Sequence, residues 1–397
     1  MKKIALLLVL ALCAAVVFAQ EFKVNGEVKT GILWNKFENQ LDLPNEMTEA
    51  GSKDDAGNGA GRFRLNAEYF DPKINAGFKF RINWENWQDK STTAGGSGQP
   101  YPTWPYAFGY AKLFDNQLTM SLGKLGASPW GTGGPEMWKE LEAVDITGGM
   151  RFEYEPFYVP GLNVGFVLNG LNSATDVWNT PTDPITFFHI LAETVVGVSY
   201  THDYFHVRTA VRFDSEVDGV RGRADGKQGA DLVYRMEERI LTTLLPGFKI
   251  WAMGYIYGIG ASEANKDDFY TTNWLFFEYE PELFIAQIRV GYDAVPNLNT
   301  LYIKPSFYFT LFDKLIKVGA SFEYAKDFTI LDEFKDFPYR VIELRPLIQV
   351  NLSSNIYAAL EYSFKRQYVQ KTQQHIDKGV EPLTQNQWIN LRVGVTF

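Results

Sequence analysis

Cysteine is nearly absent: Cys13 is the single one in 397 residues. That excludes a disulfide scaffold and argues against a thiolate metal site. Only four histidines occur. Repeated apolar runs of about 20 residues, which a helical membrane protein needs, are missing, in keeping with a mean hydropathy of −0.19. No Lys/Arg block stands out and the formal charge is −9, so the chain is read as having no nucleic-acid partner. No P-loop, Gly-x-Ser-x-Gly or HExxH motif is present, and no Ser–His pair points outward from a strand face. The chain is read as no enzyme and as needing no cofactor. What it has in excess is aromatics: 30 Phe, 21 Tyr and 10 Trp, too many for a disordered chain.

The N-terminus carries an address. Met1-Lys2-Lys3 is a short basic stretch, Ile4 to Val17 is apolar, and Val17-Phe18-Ala19 offers modest side chains for cleavage. About 14 apolar residues are too few to span a bilayer comfortably, so residues 1–19 are expected to be a secretory signal and 20–397 the mature domain. Cys13 lies inside that signal. A lipoprotein reading would place Cys13 at the mature end, but Leu12 is a poor small-residue neighbour for it.

Beyond the signal the pattern has period two. Phe22, Val24, Val28, Ile32 and Trp34 share one face while Lys23, Asn25, Glu27 and Lys29 share the other. Ile74 to Trp84 repeats this, as do Phe205 to Phe213, Phe284 to Tyr292, Leu301 to Leu311, Ile316 to Tyr324, Ile342 to Leu352 and Ile356 to Phe364. Alternation over that length is a strand signal that no helix imitates. Short turn-like connections (Asp71-Pro72-Lys73, Asp115-Asn116, His202-Asp203, Pro246-Gly247, Asp313-Lys314) alternate with mostly long polar ones (35–61, 90–105, 128–143, 170–186, 216–230, 367–385). Eight short and nine long connections predict eighteen strands, sixteen being the alternative. Leu113-Phe114-Asp115 recurs as Leu311-Phe312-Asp313, an echo of a hairpin repeat.

Short turns on one rim, long loops on the other and an even strand number are expected of an all-β transmembrane antiparallel barrel, closed because lipid leaves an open sheet edge unsatisfied. Aromatics at both strand ends fit two interfacial rows: Trp34, Trp84, Trp87 and Trp388 at the long-loop end, and Tyr69, Phe70, Phe114, Tyr200, Tyr204 and Phe312 at the other. Two segments fit poorly. Tyr106 to Gly126 alternates less cleanly, and Glu238 falls among Leu232, Tyr234, Met236 and Ile240, on a face assigned to lipid.

Ile389, Leu391, Val393, Val395 and Phe397 occupy one face of the last strand, with Asn390, Arg392, Gly394 and Thr396 on the other. This terminal strand resembles that of Gram-negative outer-membrane proteins, and with Val24-Asn25-Gly26 and the third long loop the chain resembles a bacterial porin. The resemblance implies a bacterial outer-membrane location, lipids and the barrel-assembly machinery as partners, Phe397 as assembly signal, and small hydrophilic solutes as cargo. It leaves a homotrimer open. In trimeric general porins the third loop folds into the barrel and a Pro-Glu-aromatic stretch near its tip carries constriction carboxylates. Pro135-Glu136 matches, Met137 departs and Trp138 comes one place late, so Glu136 and Glu140 are the constriction candidates.

A pore works through its inward side chains. On the polar faces lie Arg62, Arg64, Lys79, Arg81, Arg208, Arg212, Arg235, Arg239, Arg289 and Arg345, with Glu27, Glu68, Glu153, Glu343 and Glu361 among the acids. Either a water-filled lumen simply tolerates such charges, or the basic excess gives mild anion preference. Inward aromatics such as Tyr302 and Tyr308, with the strand number, keep a sugar-type channel open as well. Asp214, Glu216 and Asp218 with Gly219 approach a calcium-loop spacing, but the twelfth position is Asp225 rather than a reaching Glu, and a solvated acidic loop is the simpler reading. Two functions therefore remain: a passive diffusion channel, and a non-conducting structural or adhesive surface barrel with a plugged lumen.

Overall fold

The computed structural model describes residues 21–39, 61–85, 103–125, 130, 149–169, 194–214, 229–259, 270–295, 298–328, 339–369, 371 and 373–397. Eighteen strands follow one another along the chain. They are β1 (Glu21–Asn39), β2 (Gly61–Asp71), β3 (Ala76–Glu85), β4 (Thr103–Leu113), β5 (Leu118–Lys124), β6 (Gly149–Tyr154), β7 (Leu162–Asn169), β8 (Val195–Thr201) and β9 (Phe205–Asp214). Then come β10 (Gly229–Glu238), β11 (Phe248–Ile259), β12 (Tyr270–Tyr279), β13 (Phe284–Val295), β14 (Leu298–Leu311), β15 (Ile316–Asp327), β16 (Val341–Ser353), β17 (Ile356–Tyr368) and β18 (Leu383–Thr396). Among the described residues there are also two short helices, α1 (Ile240–Leu244) and α2 (Gln373–Lys378). No helix among the described residues is long and apolar enough to cross a membrane.

Each strand pairs antiparallel with its sequence neighbours, and β1 pairs with both β2 and β18. The sheet therefore closes on itself as an eighteen-stranded barrel without an edge, as the count of connections predicted. Pleating sends alternate side chains to opposite faces. Val24, Phe78, Leu122, Ile288, Leu360 and Leu391 are exposed on the outer face, and the charged residues between them line the interior.

Some boundaries differ from the sequence expectation. β3 starts at Ala76 rather than Ile74, because Asn75 takes a left-handed conformation (φ 53°). Its side-chain amide donates to the Lys112 carbonyl at 2.6 Å and to Asn116 Oδ1 at 3.0 Å, tying two adjacent turns together. Within the described residues β5 to β8 have 7, 6, 8 and 7 residues. Glu238 ends β10, and its Oε1 accepts the Leu241 N–H at 2.9 Å. The carboxylate thus caps the first turn of α1 at the rim, which removes the apparent charge from the middle of an apolar face.

The outer face carries an aromatic row near the short turns. Phe248, Tyr279, Phe284, Phe307 and Phe309 form an unbroken chain of ring contacts with centroid spacings of 6.3, 5.8, 5.3 and 4.8 Å. Tyr69 meets Phe78 at 5.5 Å in the same row. Two residues assigned to such rows from sequence point the other way. Phe70 pairs in register with Gly77 and stacks on Tyr110 inside the barrel, and Trp388, opposite Ser363, is buried in the interior. Both fall on the polar set of their strand, where the alternation already places them.

Aromatic rings repeatedly lie over a glycine directly opposite on the next strand: Tyr110 over Gly77, Tyr234 over Gly254, Trp274 over Gly291, Tyr308 over Gly319 and Tyr357 over Gly394. A Cβ on any of these glycines would run into the ring. Cross-strand pairs of this kind both shield the glycine and hold the ring flat against the wall.

Candidate functional site: the barrel lumen

The interior has two unlike halves. One half, formed mainly by β15 to β18 and β1 to β3, is polar. There Glu27 gathers three cations, with Arg62 Nε at 2.8 Å, Lys29 Nζ at 3.1 Å and Arg64 Nη1 at 3.4 Å. Lys79 pairs with Glu68 at 2.8 Å. Arg81 donates through Nε to Asn66 Oδ1 at 2.6 Å and lies over the Tyr106 ring at 4.9 Å. Arg64 donates to Asn83 Oδ1 at 3.2 Å, and Asn66 to Asn25 Oδ1 at 2.7 Å. The outcome is a row of amides and guanidiniums running across β1, β2 and β3.

Farther round this half, Arg345 grips Glu343 with two bonds of 2.7 and 3.0 Å, and Ser363 donates to the same carboxylate at 2.7 Å. The bidentate geometry suits a planar guanidinium. Trp388 lies under Arg345 at 5.8 Å, and Arg392 meets Glu361 at 3.6 Å. Lys304 lies 3.3 Å from Glu323 and 5.1 Å from the Trp274 centroid. A carboxylate on one side and an aromatic face on the other hold these long cations in defined places.

The other half carries, besides charges such as Arg151, Arg235 and Lys249 with their carboxylate partners, an extended apolar cluster. Val167, Val195, Ala210, Val233, Met253, Tyr255, Trp274 and Phe276 form one buried cluster along the inner side of β7 to β12. Leu125 and Trp130, from the third long connection, belong to it. Trp130 is fully buried, and its Nε1–H donates to Asn163 Oδ1 at 2.7 Å. Asn163 in turn donates to Glu155 at 2.8 Å. Its indole lies over Gly165 and Gly197, a pair in register on β7 and β8, and a Cβ on Gly197 would occupy the ring's space. β5 ends at the long-connection rim, whereas Asn163 is the second residue of β7 at the opposite rim. Trp130 itself is thus placed inside the lumen, against β7 and β8.

Of the sequence candidates, Arg62, Arg64, Lys79, Arg81 and Arg345 stand in the polar half as described. Arg208 and Arg235 face each other in register on β9 and β10, with Arg235 Nη2 3.8 Å from Glu237. Arg239 follows β10 at the start of α1. Arg289 stands over Phe276 at 5.7 Å and opposite Lys304 in register. Arg212 is in β9, paired with Val195 and Asp231, its side chain lying outside the described residues. So do Glu136, Glu140, Glu216 and Asp218, while Asp214 closes β9 opposite Gly229. Alternation places Asn25 and Asn83 on the polar face, but neither they nor Asn66 are among the candidate site residues. Sequence reasoning also missed Trp130, a lone aromatic in a run of Gly, Ser and Pro.

No family model and no curated protein matches the sequence. Among solved structures, OmpF of Salmonella typhi in complex with daunomycin is 9% identical, covering 95% of this chain and 97% of that one, with a TM-score of 0.47. A mutant of the Rh. blastica porin is 11% identical over 95% of this chain and 100% of that one, with a TM-score of 0.46. A triple mutant of Rhodopseudomonas blastica porin is 10% identical over the same shares, with a TM-score of 0.45. At these values the likeness assigns neither family nor function.

Proposed function

We propose that the protein is an outer-membrane porin, a passive diffusion channel for small hydrophilic solutes, held in lipid by its outer face and exported by residues 1–19. One observation carries this reading: the barrel is closed, with apolar and aromatic side chains outside and paired charges inside. A soluble barrel puts its apolar faces inward, whereas a membrane channel reverses them. Solutes pass along the polar half, between the Glu27 and Glu343 clusters and the cluster seated by Trp130. The amides of Asn25, Asn66 and Asn83 beside Tyr106 offer hydrogen bonds and a ring face, the chemistry of a sugar-type channel. The cations on the same wall favour anions mildly, and Glu27 and Glu68 moderate that preference.

The buried position of Trp130 in the lumen favours a second reading, a structural or adhesive barrel whose lumen is plugged. Planar-bilayer recording separates the two. Stepwise conductance that a thiol-specific reagent lowers in Arg81→Cys, but not in Val233→Cys, supports the channel and its path. Insertion into the bilayer with no unitary current supports the plugged barrel.

A further inference from the structure

Four inward rings follow one another down the inner wall from β4 to β2. Tyr106, Phe108 and Tyr110 alternate along β4, and Phe70, at the short-turn end of β2, stacks on Tyr110. Successive centroids are 6.0, 6.5 and 6.1 Å apart. Each ring has a cation over it. Arg81 lies 4.9 Å from the Tyr106 centroid, Arg151 5.3 Å from Phe108, Lys79 5.6 Å from Tyr110 and Lys112 5.4 Å from Phe70. Arg151 reaches Phe108 from β6 across β5, where the facing residues are the small Ser121 and Gly123. All four rings are half-buried, whereas Trp274 and Phe276 of β12 are closed off.

The charges along this ladder are not evenly balanced. The two middle cations are neutralised, Lys79 by Glu68 at 2.8 Å and Arg151 by Glu153 at 2.9 Å. The cations at the ends are not. Among the described residues neither Arg81 nor Lys112 has a carboxylate within ion-pair distance, and Arg81 bonds through Nε to the neutral amide of Asn66. Its terminal nitrogens keep the planar fork that suits a carboxylate.

A neutral sugar would use the rings and leave both end charges idle. A small inorganic anion would use the charges and leave the rings idle. A carboxylate carried on an aromatic ring uses both. Aromatic pairs are favourable at centroid separations of about 4.5–7 Å, so a solute ring midway between two rungs stays in range of both.

We propose that this ladder is a track for aromatic monocarboxylates, of which benzoate is the simplest. The carboxylate meets Arg81 first, the ring descends over Tyr106, Phe108 and Tyr110, and Lys112 receives the charge at the short-turn rim. The inference rests on the channel reading and names its solute class. Charge capture at the two ends with ring contact between them attracts the solute enough to enter, yet spreads the attraction over several weak sites from which it can leave.

Single-channel currents of the full barrel in planar bilayers of phosphatidylethanolamine and phosphatidylglycerol test this. Sodium benzoate, sodium cyclohexanecarboxylate, benzamide and glucose are added in turn to each side. Benzoate should interrupt the current with dwell times several-fold longer than cyclohexanecarboxylate, which has the charge without the aromatic ring. It should exceed benzamide, which has the ring without the charge, by a similar factor. Tyr106→Leu, or Phe70→Leu at the other end, should bring benzoate down to cyclohexanecarboxylate, and Arg81→Gln should bring it toward benzamide. Heat-modifiable migration in detergent gels shows which variants have folded.

Equal dwell times for benzoate and cyclohexanecarboxylate in the parent overturn the proposal. So do glucose events as long as those of benzoate, which would indicate a sugar channel, and a benzoate preference that survives every folded variant. Absence of unitary current overturns the channel reading itself, whereas current without benzoate events overturns the ladder alone.

Discussion

Phe397 and Gly26 are joined twice through their main chains: Gly26 N–H donates to the Phe397 carbonyl at 2.8 Å and Phe397 N–H to the Gly26 carbonyl at 3.0 Å. The Phe397 ring covers Gly26, so a Cβ there would stand 2.6 Å from ring carbon Cζ and 2.5 Å from the Arg64 carbonyl. This rung begins the seam between β1 and β18 on which closure depends.

Gly26→Ala should therefore destabilise the closed barrel by about 1–3 kcal/mol, the usual result of overpacking. Phe397→Ala should lower the inserted fraction while leaving export intact. Heat-modifiable migration in detergent gels reads both effects. Insertion of Phe397→Ala equal to the parent would remove Phe397 as an assembly signal.

Trp130 is expected to hold the third long connection in the lumen. Trp130→Ala deletes a buried aromatic, worth about 3–5 kcal/mol where nothing collapses into the space. Gly197→Ala should displace the indole from the opposite side. Both variants should show larger and noisier unitary conductance than the parent. Conductance unchanged in both would mean that the ring does not border the path.

The Glu343–Arg345 pair allows a thermodynamic test. Removing Arg345 leaves the buried Glu343 carboxylate without its charge partner, which typically costs about 3–5 kcal/mol, whereas removing Glu343 costs less because the Arg345 side chain is 32% exposed. Replacing both by apolar residues of similar size should cost far less, because the desolvation of both charges is avoided. Urea midpoints of Glu343→Leu, Arg345→Met and the double variant, measured in micelles, give the coupling. Additive losses would show that the two side chains act independently.

Selectivity should follow the charges around Glu27. Two unit charges 4 Å apart interact by about 1 kcal/mol in bulk water and about 4 at an effective dielectric of 20. Glu27→Gln releases Lys29, Arg62 and Arg64 from their shared partner and should move the reversal potential toward anions. Arg64→Gln with Arg81→Gln should move it toward cations. Both shifts should shrink between 0.01 and 1 M salt as screening shortens from roughly 30 to 3 Å. Reversal potentials that stay put would place these residues away from the narrow part of the path.

The architecture was readable because lipid-facing and lumen-facing residues alternate strictly, and closure follows from the alternation of short and long connections. The pairing of charges was less readable. Arg62 and Arg64 look like a bare basic cluster along the chain, and only the register of β1 against β2 brings Glu27 between them. Turn boundaries failed where a polar side chain replaced the strand hydrogen bonds, as at Asn75. The seat of Trp130 rests on a space that Gly165 and Gly197 leave in two separate strands. No local pattern reports such a space.

The rings laid over glycines also bear on how the chain can change. Moving a strand by one residue against its neighbour would bring Tyr110, Trp274 or Tyr308 up against a substituted carbon, and would send its polar set into the outer face. In a closed barrel no free edge absorbs such a slip, so the misfit passes to the next seam. Insertions and deletions are therefore tolerated in the long connections and refused within the strands. The chain can alter its outer surface in evolution while its wall keeps one set of pairings.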